Sequence, residues 1–486
     1  MRTPLLVRGI LILLALGLLA GCVVGPDYHR PAAFGTNALP ATFSLDPNAA
    51  LNTNQAEWKP AQPAASIPRG AWWEIFSSDA LNRLEESAVI NNQEIAVAFA
   101  RFEQARALVQ VARADLVPTA SLNPGFTRQR TSLNEFERNP ALRSSSTYTT
   151  FNLPVAASWE IDLWGRVRKG VEASRARLVA VGEDLEAARL SIQADVAVDF
   201  FTLQGLDSEY ALLQQTIETY RRSLELTRNR RTNGIVSDLD VAEAETQLRG
   251  AEAELPSIEL QRSRLKNALA VLCGQPATTF AIAHTTTNSF PVRVTASVPS
   301  ELLERRPDIA AAERRMAAAN AEIGIAKTAF YPRLQLHGMA GLQSIDAGTL
   351  FNWPSRLWAI GPSLELPLFT GGRNRAQLER AWSAYDETVA HYRQSVLVAF
   401  QEVEDQLAAQ RLLQRQSESE TAALIAARRT LEIANNRYHA GLITYLEVAT
   451  AQSAALTRER TLVRLESQRQ TAEINLARAL GGPARQ

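Results

Sequence analysis

The stretch Arg166 to Asn233 contains no proline, and the nearest ones lie at Pro154 and Pro256. As one helix it would be about 100 Å long at roughly 1.5 Å per residue, several times an ordinary globular helix. Apolar and small residues recur along it at Leu178, Val181, Leu185, Ala188, Ile192, Val196, Asp199, Leu203, Leu206, Tyr210, Leu213, Ile217, Tyr220, Leu224 and Thr227. The steps alternate between three and four, as a coiled-coil seam requires. Two consecutive steps of four around Ile192 form a stutter that would locally unwind a left-handed supercoil. A chain committed to such an element must supply partner helices of matching length.

It supplies them by repeating itself. Gly234-Ile235-Val236-Ser237-Asp238-Leu239-Asp240-Val241 matches Gly441-Leu442-Ile443-Thr444-Tyr445-Leu446-Glu447-Val448, 207 positions later. The same offset pairs Arg166 and Arg168 with Arg373 and Arg375, and Gly274 and Pro276 with Gly481 and Pro483. A constant offset means two copies of one long helical hairpin. The segment Asn92 to Leu116 recurs at Arg306 to Phe330, and Pro118 and Pro332 stop the two copies. Stacked end to end, Ser237–Leu272 and Asn92–Leu116 add to about 92 Å at roughly 1.5 Å per residue, the height of the long helix.

Beyond each of those prolines the period falls from 3.6 to 2. Phe151, Leu153, Val155, Ala157, Trp159, Ile161 and Leu163 alternate with Asn152, Ala156, Ser158, Glu160 and Asp162. Weaker versions run through Ala120, Leu122, Pro124 and Phe126, through Leu334, Leu336, Ala340 and Leu342, and through Ile360, Leu364, Leu366 and Leu368. Strands with one apolar and one polar face are the pattern of a membrane barrel. Four strands cannot close a barrel, and open edges are not tolerated in hydrocarbon, so the chain must complete its barrel with other copies. The alternative for these strands alone is a soluble two-sheet cap.

The start of the chain reads as a processing signal. Arg2 and Arg8 precede an apolar run, Ile10 to Leu19, too short to span a bilayer, and Leu19-Ala20-Gly21-Cys22 matches a lipoprotein cleavage site with Cys22 as the lipidated residue. Val23 rather than Asp at the next position points to the outer membrane. Equal numbers of basic and acidic residues, 51 each, give no basic bias toward nucleic acid. The expected organisation is a signal peptide (1–21) and an extended N-terminal arm (22–76), then a first repeat (77–276) with strands at 118–131 and 148–164. A linker (277–300), a second repeat (301–483) with strands at 332–344 and 357–369, and a short tail (484–486) complete it.

Several motifs along this frame are similar to those of the TolC-type outer-membrane efflux factors, in the lipoprotein branch that serves tripartite pumps. They are Cys22-Val23-Val24-Gly25-Pro26-Asp27-Tyr28, Trp72-Trp73, Asp162-Leu163-Trp164-Gly165-Arg166, Glu304-Arg305-Arg306-Pro307-Asp308-Ile309, and Arg437-Tyr438 ahead of Gly441. The resemblance implies a mostly α fold: a homotrimer whose paired α-hairpins form a periplasmic tunnel and whose strands complete a 12-stranded barrel in outer-membrane lipid. It also implies a passive exit duct joined by a periplasmic adaptor protein to an inner-membrane efflux transporter. A periplasmic coiled-coil adaptor or scaffold lipoprotein is the competing reading, but adaptors carry one hairpin, and this chain carries two.

No catalytic, cofactor or metal constellation is legible. His29, His284, His337, His391 and His439 are scattered without ligand spacing, and there is no phosphate-binding glycine loop. The informative polar positions are the two hairpin turns. Gly234 and Gly441 suit a left-handed residue past a helix end, and Ser237 with Asp240, like Thr444 with Glu447, has the spacing of a capping box. By the resemblance these turns (Gly234, Ser237, Gly441, Thr444) meet the adaptor, and the pore ring falls at Leu446, Glu447 and Thr450. The family often has Asp where Thr450 stands, which shifts weight to Glu447 and Leu446. Asp238 and Asp240 occupy the equivalent heights in the first copy.

Overall fold

The structure, a computed structural model, describes residues 23–33, 70–130, 147–285 and 305–482. The expected signal peptide, lipidation site and most of the N-terminal arm lie outside these residues, as do the linker from 286 onward and the tail. The chain forms two compact units interleaved in sequence. One takes residues 23–31, Phe102–Val181 and Ala312–Tyr392; the other takes the described parts of Ala32–Arg101, Gly182–Ala311 and Arg393–Gln486.

Six of the described α-helices fall into three matched pairs. Helices α1 (Asp79–Asn91) and α2 (Gln93–Ala114) precede strands β1 (Thr119–Leu122), β2 (Gly125–Arg130) and β3 (Thr147–Ile161). Then come α3 (Arg166–Thr232), α4 (Asp238–Leu272), α5 (Pro307–Thr328), β4 (Arg333–Ser344), β5 (Arg356–Glu365), α6 (Arg373–His439) and α7 (Tyr445–Ala479). The long helices α3 and α6 are each 67 residues, the returning helices α4 and α7 each 35, and α2 and α5 each 22. Pro256 lies inside α4, where its ring removes one backbone hydrogen bond without ending the helix. No helix among the described residues is long and apolar enough to cross a membrane.

In the first unit, β1 and β2 behave as one strand. Both pair with β3 in a continuous register, Leu122 opposite Val155 and Gly125 opposite Asn152, and the break falls at Pro124, which has no N–H to donate. The sequence suggests two separate hairpins; the structure joins them, because β3 also pairs with β4 from Phe151–Ser344 to Ile161–Leu334. With β4 paired to β5 the result is an antiparallel meander whose first and last strands have no partner on their outer sides among the described residues. Register puts Ala157 beside Gly338, Val155 beside Ala340 and Ala340 beside Trp358 on one face, and Ser158 beside His337 and Glu160 beside Gln335 on the other.

The junction into α3 explains one of the sequence motifs residue by residue. Glu160 receives two hydrogen bonds from Arg166, at 2.7 and 2.8 Å, and Asp162 accepts the Arg168 N–H at 2.9 Å, satisfying a donor in the first turn of the helix. The Trp164 indole donates to the Pro332 carbonyl at 2.8 Å. Gly165 has φ +84°, which disfavours any side chain, and a Cβ there would lie only 3.1 Å from a Val23 methyl.

In the second unit the repeat shows as duplicated joints. Asn92 donates to the Leu272 carbonyl at 2.8 Å, and Arg306, at the equivalent position of the second copy, donates to the Ala479 carbonyl at 3.1 Å. Each caps the end of its own hairpin's returning helix. Arg306 is also held by Asp308 and Glu402, which compensates the charge it buries. The seam of α3 is buried at Leu203, Leu213, Ile217, Tyr220, Leu224 and Thr227, but between Glu183 and Glu209 burial extends to other faces, taking in Leu190, Ala194, Ala197, Phe200 and Phe201. Surrounding elements account for it: Phe76 packs on Phe201 with centroids 5.2 Å apart, the Trp72 indole donates to Gln193, and Arg460 and Arg464 of α7 grip Glu209.

Asp199, the acidic position on that seam, is pushed up to about 6 by burial and by Asp195 one turn away. Because its folded value lies above the ordinary carboxylate value of about 3.9, the mismatch costs nothing at acid pH and grows as pH rises from about 4 to 6. Asp199→Asn should therefore stabilise the protein at pH 8 by about 1 kcal/mol, allowing for solvent screening. Thermal melts followed by circular dichroism should show that gain at pH 8 and its disappearance by pH 4.

Candidate functional site

The residues singled out in the turns lie together at the tips of the two hairpins, within the second unit. Between the hairpins is a small core of Leu213, Ile217, Tyr220, Leu224, Ala244, Leu248, Tyr438, Tyr445, Val448 and Ala449. Tyr438 and Tyr445 meet edge to face at 5.6 Å, and the Tyr445 hydroxyl lies 3.2 Å from Ser223 Oγ. Arg230, near the end of α3, stacks over the Tyr438 ring at 5.1 Å and donates to the Tyr438 and His439 carbonyls, both at 3.1 Å. It thus caps the end of α6 from the other hairpin.

The two turns share a backbone form but not a capping chemistry. Gly234 (φ +76°) and Gly441 (φ +74°) both take the left-handed conformation. In the first turn the capping box forms: Asp240 Oδ2 accepts from the Ser237 N–H at 2.9 Å and from its hydroxyl at 2.6 Å, while Ser237 Oγ accepts the Asp240 N–H at 3.3 Å. The second turn differs from the sequence expectation, because the Thr444 side chain makes no cap and so no box forms with Glu447. Instead Asp240 Oδ1 reaches across and accepts the Tyr445 N–H at 3.0 Å. One carboxylate therefore caps the starts of both returning helices. Nothing in the spacing of a single turn could reveal this, since donor and acceptor are 205 residues apart.

Asp238 lies outside this staple and is exposed, with Arg231 forked onto it at 2.7 and 2.9 Å. That guanidinium holds its carboxyl below the ordinary carboxylate range. On α7, Tyr445, Val448 and Ala449 are buried, whereas Leu446, Glu447 and Thr450 are exposed together on the opposite face. Leu446 is 56% exposed on that face.

The first unit supplies the other functional surface. The apolar face of the sheet is open, with Phe126 63%, Trp358 77%, Ile360 69% and Leu364 67% exposed. A large uncovered apolar sheet face is stable only against lipid or another protein.

The chain matches the sequence profile described as Outer membrane efflux protein over residues 84–275 and 298–482. It belongs to the outer membrane efflux protein family. Outer membrane protein OprJ of Pseudomonas aeruginosa is 34% identical over 486 residues, covering 99% of this chain and 97% of that protein. The probable outer membrane lipoprotein SilC of Salmonella typhimurium is 29% identical, covering 96% of each. Among solved structures, the outer-membrane channel OprN superposes with a TM-score of 0.83 at 27% identity, over 95% of this chain and 99% of the other. As a member of this family, the protein is an outer-membrane efflux channel.

Burial draws the Asp240 carboxyl upward, but its hydrogen bonds from Ser237 and Tyr445 outweigh that and hold it below the ordinary range. With the folded value depressed, the staple's contribution is complete above the unfolded value of about 3.9 and is lost as pH falls below it. Asp240→Ala should speed hydrogen exchange at the Tyr445 amide at least about tenfold at pH 7, about 1.4 kcal/mol of local opening. Asp238→Ala, which cuts only an exposed pair, should leave that amide unchanged.

Proposed function

We propose that the protein is the passive exit duct of a tripartite efflux pump, assembled as a homotrimer. Small molecules would reach it from an inner-membrane transporter through a periplasmic adaptor. The observation that carries this reading is the four-stranded sheet, apolar on one face and, among the described residues, unpaired along both edges. Three copies give the 12 strands of a closed barrel, within the range that outer-membrane barrels use. The adaptor would engage the exposed turns at Gly234, Ser237, Gly441 and Thr444.

Within the duct we assign the resting constriction to Leu446 and Glu447, with Thr450 one turn above. Their shared exposed face on α7, opposite the interhairpin core, supports the assignment. Three copies would set a ring of leucines, which resists wetting, beside a ring of carboxylates, which favours cations. Asp238 and Asp240 are the weaker candidates, since Arg231 engages the first and the interhairpin staple engages the second. Opening then requires the Gly441 turn to move away from Asp240.

Lipidation at Cys22 completes the reading. Val24 donates its N–H to the Trp164 carbonyl at 3.0 Å, at the helix-bearing end of the sheet, so an acyl chain on Cys22 would reach the inner leaflet beside the barrel. SilC, a relative by sequence, is named a lipoprotein. Mass spectrometry of the purified protein should find an acylated N-terminus at Cys22.

Planar-bilayer recording tests the duct and its constriction together. Leu446→Ser should raise single-channel conductance severalfold and increase antibiotic leak in cells, while Glu447→Gln should lower cation preference with little change in conductance. Absence of any conductance from wild-type protein would contradict the duct. Wild-type conductance unaffected by both substitutions would move the constriction elsewhere.

A further inference from the structure

The strand ends that adjoin helices in sequence, Thr119, Ile161, Arg333 and Glu365, lie at one end of the sheet by register, and Arg130, Thr147, Ser344 and Arg356 end the strands toward the other. Register orders the residues of the apolar face between those ends. Near the helix-adjoining end stands Trp159, whose indole donates to the Leu116 carbonyl at 3.1 Å. Val155, Leu153 and Ile360 follow along the same face. Phe126 and Phe151 then pair at 5.3 Å, and on the other edge strand Trp358, opposite Ala340, is the last aromatic before β5 reaches its outer end at Arg356. From Trp159 to Phe151 is about 26 Å along the strand at roughly 3.3 Å per residue, the scale of the apolar band of an outer-membrane barrel between its two aromatic girdles.

At the outer ends of both edge strands the face changes from apolar to basic. Arg128 lies two residues past Phe126, opposite Thr149; Arg130 follows, opposite Thr147; and Arg356 lies two residues before Trp358, opposite Leu342. Strand periodicity keeps all three on the outward face. That face carries no carboxylate among the described residues, and the inner girdle has no matching arginine on it. Neither Arg128 nor Arg356 forms an ion pair among the described residues; Arg356 stacks on the Trp353 ring and donates to the Trp353 carbonyl at 3.3 Å. Trp353 itself belongs to a tied connection, in which Ser344 Oγ lies 2.7 Å from Thr349 Oγ1 and the Ser355 hydroxyl donates to the Thr349 carbonyl at 2.7 Å. Phe351 and Trp353, 77% and 79% exposed, project from it.

We propose that this outer rim is a binding belt for the phosphate groups of outer-leaflet lipids, with Arg128 and Arg356 as the phosphate ligands and the exposed aromatics seated against the sugar and acyl boundary. Guanidinium groups just above an aromatic girdle lie at the depth of the lipid headgroups, and Arg pairs with phosphate through two parallel hydrogen bonds. The two arginines come from the opposite edge strands of the sheet. In the trimer, on which this inference rests, β2 of one copy adjoins β5 of the next, so Arg128 and Arg356 of neighbouring copies flank each of three seams.

Native mass spectrometry of the intact protein with added diphosphorylated lipid A tests this. Wild type should retain up to three lipid molecules per trimer, at least about tenfold more tightly than the dephosphorylated lipid, and millimolar inorganic phosphate should not displace them. Arg128→Gln and Arg356→Gln should each weaken retention at all three seams, and together abolish the preference for phosphate. Equal retention of phosphorylated and dephosphorylated lipid, unchanged retention by the double variant, or displacement by inorganic phosphate would overturn the proposal. Channel conductance measured on the same samples separates the two readings: a conducting double variant that has lost lipid preference supports both, and a non-conducting wild type refutes the duct itself.

Discussion

Hydrocarbon offers no hydrogen-bonding partner to a backbone N–H or C=O, and each one left unpaired there costs several kcal/mol. The sheet of this protein exposes an apolar face that belongs in lipid, yet its first and last strands are unpaired on their outer sides among the described residues. These two properties are compatible only if the edges find strands from other copies. The assembly proposed for this chain rests on that requirement.

The helical part answers a different problem, that of making two near-identical hairpins hold one another in a fixed register. Their apolar seams alone would permit sliding by a turn. Polar contacts between the copies fix the register: Asp240 on the Tyr445 N–H, Arg230 on the last carbonyls of α6, and Glu209 between Arg460 and Arg464. Charged groups at half-buried positions contribute little net stability when paired, but misregistered pairing would leave them buried alone, which is costly. The tip staple stands next to the Leu446 and Glu447 face, so the contact that aligns the hairpins also restrains the movement the proposed gate requires.

Much of this was legible in the sequence because it rests on period and offset. The 207-residue repeat reappears as helices of equal length, and the alternation in residues 151–163 reappears as two chemically distinct sheet faces. What stayed hidden involves residues distant in sequence. The spacing of Thr444 and Glu447 suggests a local cap, yet that helix start is satisfied by Asp240 from the other copy. The pairing of β3 with β4 and the all-round burial near Phe200 likewise depend on elements brought in from elsewhere. The repeat aligns Asn92 with Arg306, but nothing in two such different side chains reveals that both cap equivalent helix ends.

The most direct test of the central claim, that unpaired edges force closure of three copies, is native mass spectrometry of the full-length protein released from detergent. A single species with the mass of three chains is predicted. A stable monomer or dimer that keeps its strand content would show that the edges are satisfied some other way and would contradict the account.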